Sequence, residues 1–509
     1  MNSIERSKGR TKSEQYLVQL ADRTFLNLWS FPNLYYDKKE RGKGDGKELC
    51  DLLVVCGDHV LIFSDRTSAF QNIDDIELAW RRWFKTAVKK SADQIRGANR
   101  WLDQYPERVF LDKQCTKRLP LQLSPTSKRK VHGIVVALGA GEACRKYFDG
   151  GIGSLVVAPH VKGDDHVSAT CTPFAIGDID PTGSFIHVFD DATLDIVMHE
   201  LDTVTDLTDY LSKKEALIRS SRLIGASGEE DLVAYYMTHL NAAQEHDFTK
   251  PDGTAWNDGD SFTLGTGHYA GMLKNEQYLA KKSADEVSYA WDRLIRVFTD
   301  TMLAGTTIVP QGETFQLNEQ EEGVRHMALV PRHMRREYGR GIIDALQRGA
   351  SVSRMTRAFL PGPTATEQGT AFFFMTLAVP NIELEKGYEQ YRQVRRSMLE
   401  TYALVFLQRY RNLKRIVGIA TEPPGGGGSE DLILAAPPAE WSVQFIEEVE
   451  QRQRDFTIAQ EGNYREYEIR GQEFPEVSPL QATYSKPRQG MNRAQRRAHE
   501  RATRRRKPS

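Results

Sequence analysis

Apolar and polar positions alternate with different periods along the chain, and the clearest pattern lies early. Asp51-Leu52-Leu53-Val54-Val55 and Val60-Leu61-Ile62-Phe63 are short apolar, β-branched runs. Between them stands Cys56-Gly57-Asp58-His59, which carries the Gly-Asp chemistry of a tight turn. The pattern predicts a β-hairpin, and its near-continuous apolarity predicts burial on both faces. Upstream, over residues 13–29, Tyr16, Leu17, Leu20, Phe25, Leu28 and Trp29 recur at helical spacing behind Ser13 as N-cap, and Phe31-Pro32-Asn33 is expected to stop that helix. Downstream, over residues 76–102, Trp80, Trp83, Phe84, Ala87, Val88, Ile95, Ala98 and Trp101 form the stripe of one long helix.

Beyond that helix the period changes again. Short β runs are predicted at 131–138, 154–158, 173–176 and 185–189, followed by two acid-rich helices in 190–218 and a mostly helical stretch over 229–347. A second α/β layout begins near Ala371, with strands at 371–379, 416–420 and 432–435 and helices at 383–413 and 439–454. With 509 residues the chain is too long for one core. The expected class is α/β (mixed α+β), multidomain, divided at 1–105, 106–220, 221–350, 351–475 and 476–509.

Composition adds limits. A hydrophobic share of 40% and a charged share of 27% are those of a globular chain, and no apolar run reaches membrane-spanning length. The N-terminus is polar, so a cytoplasmic protein is expected. Five scattered cysteines without CxxC spacing argue against a zinc site or a disulfide framework. The net charge of −1 hides an asymmetry: residues 491–509 hold seven Arg and one Lys against one Glu, a net of +7, which leaves −8 for the rest. Any nucleic-acid contact must therefore be local. Two further candidates for it are the basic face of the second helix (Arg81, Arg82, Lys85, Lys89, Lys90, Arg96) and the group Arg325, Arg332, Arg335, Arg336 and Arg340. The second group equally suits ion pairs with the acidic helices upstream.

Chemistry gathers at the open end of the hairpin. Glu48 and Asp51 enter it and Ser64-Asp65-Arg66 leave it, so pairing of the strands brings Asp51 beside the triplet. This arrangement resembles the PD-(D/E)xK, or restriction-endonuclease-like, nucleases, in which an acid opens one strand, an acid-x-Lys triplet ends the next, and a preceding helix supplies a further Glu. The hairpin also resembles that of bacterial proteins of uncharacterised function, a likeness that brings no activity with it. The nuclease resemblance implies a metal-dependent enzyme hydrolysing DNA or RNA phosphodiesters, in a setting of bacterial defence. It also implies Mg²⁺ (or Mn²⁺) held by Asp51, Asp65 and Glu48, and Arg66 on the phosphate. Glu14 is a further candidate carboxylate, and Gln94 a polar helix residue beside the site.

Two features depart from the family pattern. Ser64 stands at the acid position and Arg66 at that of the Lys, and Arg cannot give up its proton near neutrality. Strand alternation also turns Asp65 away from Ser64 and Arg66, so a bulge is needed to aim it at a metal beside Asp51. Two rival readings follow: an inactive nuclease-like protein that binds or senses nucleic acid, and a structural subunit that assembles with its own copies or a partner protein.

Overall fold

The computed structural model describes residues 3–38, 46–309, 315–361, 369–379, 384–426, 428–460, 462–466 and 472–475. The basic tail and most of the Lys/Gly loop before the hairpin lie outside them. Helix α1 (Lys12–Thr24) starts where the Thr11 hydroxyl accepts the N–H of Glu14 at 3.1 Å, so Thr11, not Ser13, is the cap. It buries Leu17, Val18, Leu20 and Ala21 and ends before Leu26 and Asn27, which take left-handed conformations at φ 55° and 61°.

The next segment corrects the sequence reading. Phe31-Pro32-Asn33 does not merely stop a helix; it lies inside strand β1 (Ser30–Tyr36), which pairs antiparallel with β2 (Lys47–Cys56). Pro32 is tolerated because the strand on the outer side of β1 pairs only with Tyr35 and Tyr36, so no ladder there needs its missing N–H. The register slips between Leu34↔Cys50 and Tyr35↔Glu48, leaving Leu49 as the extra residue of a bulge. As expected, β2 turns through Gly57, at φ 60°, into β3 (His59–Thr67), and both strands are buried on both faces over their apolar stretch.

The predicted long helix is three segments in line. These are α2 (Ile76–Trp83), a π-helical turn over Phe84–Lys89, and α3 (Lys90–Gln104), with Trp80, Trp83, Phe84 and Val88 inward. Then come β4 (Val109–Phe110), β5 (Lys130–Leu138), α4 (Gly141–Tyr147), β6 (Val156–Lys162), β7 (Ala175–Asp178) and β8 (Ile186–Phe189). The central sheet has the order β4-β1-β2-β3-β5-β8. It therefore continues well past residue 105. Its first three long strands form an antiparallel meander, whereas β5 and β8 run parallel to β3, so the C-terminal ends of β3, β5 and β8 share one edge.

Helices α5 (Thr193–Glu200) and α6 (Val204–Arg219) are the two expected acid-rich helices. After them come β9 (Leu223–Ala226), α7 (Glu229–Thr238) and β10 (Phe262–Leu264), and a second sheet is ordered β10-β9-β6-β7. The helical region comprises α8 (His268–Met272), α9 (Glu276–Asp285), α10 (Tyr289–Ala304), α11 (Leu317–Ala328) and α12 (Arg332–Gly349), with a break before Arg332. Here the arginines resolve into ion pairs. Arg332 meets Asp202 and Asp292, Arg335 meets Asp292, and Arg336 meets Asp285, all buried. These three guanidinium groups are internal struts and offer no surface to a phosphate.

The second α/β unit opens on a strand that was not predicted, β11 (Arg354–Phe359), followed by β12 (Thr370–Leu377), α13 (Leu384–Arg409), β13 (Arg415–Thr421), β14 (Glu430–Ala435) and α14 (Val443–Asp455). Its four strands lie in chain order. The two faces of this sheet belong to different cores: Phe372, Phe374, Val417 and Ile419 join the large one, while Ala371, Phe373, Met375, Ile416 and Ala420 pack in a second core that includes Leu399, Ala403 and Val449. Residues 472–475 return to the helical region, where Glu473 meets Lys281 and Arg336 donates to the carbonyls of Gln472 and Glu473. Among the described residues no helix is long and apolar enough to cross a membrane.

Candidate active site

The site forms where β2 and β3 part. Their backbone pairing runs from Cys56↔His59 to Leu52↔Phe63, and beyond that point the Asp51 carboxylate takes over. Its Oδ2 accepts the backbone N–H of Asp65 at 2.7 Å, replacing the ladder bond that Asp65 would otherwise make on that side. The Asp51 carboxylate is thereby held against the Asp65 backbone, while the register of β3 on β5 runs evenly through Asp65 without the bulge that was expected to aim its side chain.

The N-terminal turn of α1 closes the site from one side. Ser13 and Glu14 face Asp65, and Glu14 Oε2 accepts from the Arg10 backbone N–H at 2.7 Å and from Asn33 Nδ2 at 2.9 Å. Asn33 reaches it from a left-handed backbone conformation, φ 51°, in β1. Glu48 stands next to the β1/β2 bulge and pairs with Arg10 Nη1 at 3.1 Å. The first-turn carboxylate of α1 is thus within the electrostatic reach of both hairpin acids.

Crowding of like charges in a buried place sets the protonation behaviour. Burial pushes the Asp51 carboxyl up to about 7; repulsion from Glu48, Glu14 and Asp65 adds to it, and the Asp65 N–H opposes it. Asp65 is also raised, first by burial and then by Glu14, with Ser13 opposing. Both Asp65 carboxylate oxygens are buried without a hydrogen bond of good geometry; the Ser13 hydroxyl favours the charge without completing one.

The remaining triplet residues have separate surroundings. Ser64 is fully buried and its hydroxyl donates to Gln94 Oε1 of α3 at 2.9 Å, so Gln94 does reach the triplet, through a serine and not an acid. Arg66 has a buried Nε without a hydrogen-bond partner. The β3 exit is braced by the neighbouring loop, where Asp191 accepts the N–H groups of Gly139, Ala140 and Gly141 at 2.9–3.1 Å.

Among the described residues, no three or more His, Cys, Asp or Glu side chains are already gathered to hold a metal ion. The donors nonetheless suit a hard cation. Mg²⁺ takes one or two carboxylates and fills its other positions with water and phosphate. Asp51 has one oxygen beyond its bond to Asp65, and Asp65 has two buried oxygens with the Ser13 hydroxyl alongside. Glu48 is committed to Arg10. A groove of about 1090 Å³ lies elsewhere, lined by part of the stretch from Thr238 to Ala255 together with Asn275, Gln277, Tyr278 and Phe474, with Asp247 and Asp252 as its charged groups. It lacks a comparable gathering of acids.

Sequence reasoning placed Asp51, Asp65, Arg66 and Glu48 at this end of the hairpin, and missed Arg10, Ser13 and Asn33. The only signal for these was the proximity of the α1 N-terminus to the hairpin implied by a helix-first core. No family model, curated protein or solved structure matches this chain.

Proposed function

We propose that the chain is a metal-dependent nuclease acting on DNA or RNA phosphodiesters, with Asp51 and Asp65 as the carboxylates that hold Mg²⁺ or Mn²⁺. The observation that carries the reading is the Asp65 carboxylate, whose two oxygens are buried near the buried Asp51 carboxyl with the Ser13 hydroxyl alongside and no hydrogen bond of good geometry. A buried acid in that state is costly, and a cation ligand is the role that offsets the cost. Glu48 stands by as a third oxygen donor once freed from Arg10.

The surrounding architecture supports the reading. A helix with an acid in its first turn precedes an antiparallel meander; helices follow, and then a strand parallel to the third. When bound, a divalent cation supplies Lewis-acid stabilisation of the phosphate and a more acidic water. The protein's own residues do the rest. Asp51 fixes the position of Asp65 through its backbone, Ser64 with Gln94 braces the strand, and Arg66 at the strand exit is the permanent cation for phosphate charge.

A second reading has its own support. Ser64 brings no carboxylate, Arg66 is no base, and Glu48 is neutralised, which together suit a protein that binds nucleic acid without cutting it. Purified protein incubated with plasmid, single-stranded DNA and RNA in Mg²⁺ or Mn²⁺ separates the two. Cleavage that disappears in Asp51→Asn supports the nuclease; binding without cleavage in any metal favours the sensor.

A further inference from the structure

Beyond Arg66 the chain leaves the sheet alongside the exit of β5. Ser68 donates its N–H to the Leu138 carbonyl at 2.9 Å and Phe70 donates to that of Gly139 at 3.2 Å, while the indole N–H of Trp83 in α2 donates to the Ser68 carbonyl at 2.9 Å. The Phe70 ring stacks on Phe174 at 5.1 Å. Phe174 is fully buried, touches Trp80 of α2 at 5.5 Å and meets the rings of Tyr147 and Phe148 at 5.3 and 6.4 Å. Tyr147 and Phe148 follow the buried Cys144 by three and four residues, which by helical spacing aims them inward, yet they remain 44% and 47% exposed. They form an aromatic platform that the fold supports from one side and leaves half open. Phe70 lies five residues past Asp65, so the platform begins within about 18 Å of that acid along the chain.

Basic groups border the rings. Arg82 donates to the Gln71 side chain at 2.8 Å, next to Phe70, and Lys85 follows it by three residues on the π-helical turn. Over residues 76–89 four basic residues stand against the single acid Glu77, in a chain whose total charge is −1. Among the described residues Arg82, Lys85 and Arg145 make no ion pair; Arg145 instead donates to the Ile152 carbonyl at 2.9 Å, closing the loop after the platform. Lys89 meets the exposed Asp164 at 3.4 Å, and Lys146 is paired with Glu142 at 2.8 Å. The remaining acids of this surface, Asp74, Asp75 and Asp149, are exposed; the first two precede α2, and Asp75 caps it by accepting the N–H of Leu78.

Resting on the nucleic-acid reading shared by both alternatives above, we propose that this surface binds a single strand of nucleic acid, with unpaired bases stacked on Tyr147 and Phe148 and the phosphates on Arg82 and Lys85. Exposed rings beside unpaired cations are the two components such binding needs: every base offers a π-face, and the backbone supplies a regular row of negative charge. A duplex keeps its bases stacked on one another, so the platform selects the unpaired strand and holds it beside the exit of β3.

The test is fluorescence anisotropy of the full chain in EDTA at low salt with labelled twenty-nucleotide oligo-dT, oligo-U and a duplex of equal length. Wild type should bind both single strands more tightly than the duplex. Tyr147→Leu/Phe148→Leu keeps apolar bulk against Phe174 while removing the π-faces, and should weaken single-strand binding roughly tenfold or more, the scale of two lost stacking contacts. Arg82→Gln/Lys85→Gln should lower the slope of log affinity against log salt by about 1.4, two phosphates' worth. If wild type binds single strands but the leucine pair binds them equally well, or if the duplex binds as tightly, the platform is wrong and the nucleic-acid reading stands. If wild type binds none of the three, that reading falls and the platform with it. A dimer in sedimentation that the leucine pair dissolves would assign the rings to a second copy and likewise overturn the proposal.

Discussion

The side chain of Asp51 caps the backbone of Asp65 at 2.7 Å, so one strand's carboxylate finishes the other strand's ladder. Asparagine keeps an acceptor at that place while removing a buried charge. The Asp51 carboxyl titrates at about 7 in the folded chain and near the ordinary carboxylate value when unfolded, so the native state binds its proton more tightly. Stability therefore falls as pH rises from about 4 to about 7 and stays lowered above that. Asp51→Asn should be more stable than wild type at pH 8, by up to about 4 kcal/mol, with the advantage fading toward pH 4. Urea unfolding at both pH values checks this, and a variant weaker than wild type at pH 8 contradicts it.

Asp65→Asn leaves the backbone N–H that Asp51 uses but removes the carboxylate. Metal-dependent cleavage should drop by at least about a hundredfold, as for loss of groups that tune a metal site, with the folded structure retained. Plasmid nicking in Mn²⁺ measures it. Undiminished cleavage would put the chemistry elsewhere in the chain.

Gly139 links the parallel strand β5 to the exit of β3. It sits at φ 104°, and a Cβ there would lie 2.3 Å from the Ser68 carbonyl oxygen. Gly139→Ala should cost about 1–3 kcal/mol, the usual range for such backbone strain. The urea midpoint should fall accordingly, and an unchanged midpoint would show that the loop after Arg66 moves freely.

Asp292 holds two buried guanidinium groups at once, Arg332 at 2.8 Å and Arg335 at 2.6 Å. Despite its burial, these arginines hold its carboxyl below the ordinary value. Its stabilising contribution is present above the unfolded-state value and is lost as pH falls through the lower folded one. Asp292→Ala leaves Arg335 without its acid and Arg332 with Asp202 alone, and should cost about 3–5 kcal/mol, read as a shift in the urea midpoint at pH 7. A loss under 1 kcal/mol would mean that water or another acid compensates.

What could be read in advance followed from periodicity. The hairpin over Asp51–Phe63 was legible because its apolar runs are dense and Gly57 marks the turn, and the stripe through Trp80, Trp83 and Val88 was legible because helical spacing survives the π turn. Strand β1 was hidden by Pro32 and Asn33, both poor strand formers, which are accommodated only because of neighbours distant in sequence. Strand β11 was hidden because Arg354 and Arg357 break its apolar run. At the site, the acids of one hairpin are local and visible, whereas Arg10, Ser13 and Asn33 reach them through tertiary contacts that leave no periodic trace. The arginines of α12 were ambiguous for the same reason: nothing in their spacing distinguishes a solvated row from one facing Asp202, Asp285 and Asp292.

Strand β12 sends Phe372 and Phe374 into one core and Ala371, Phe373 and Met375 into the other. The sheet is thus a party wall, and neither side can come apart without baring the other. Heating should accordingly give one calorimetric peak for the whole chain, with equal van't Hoff and measured enthalpies. Excising the second α/β unit would strip a wall from the larger core and should yield an aggregating fragment, not an independent enzyme.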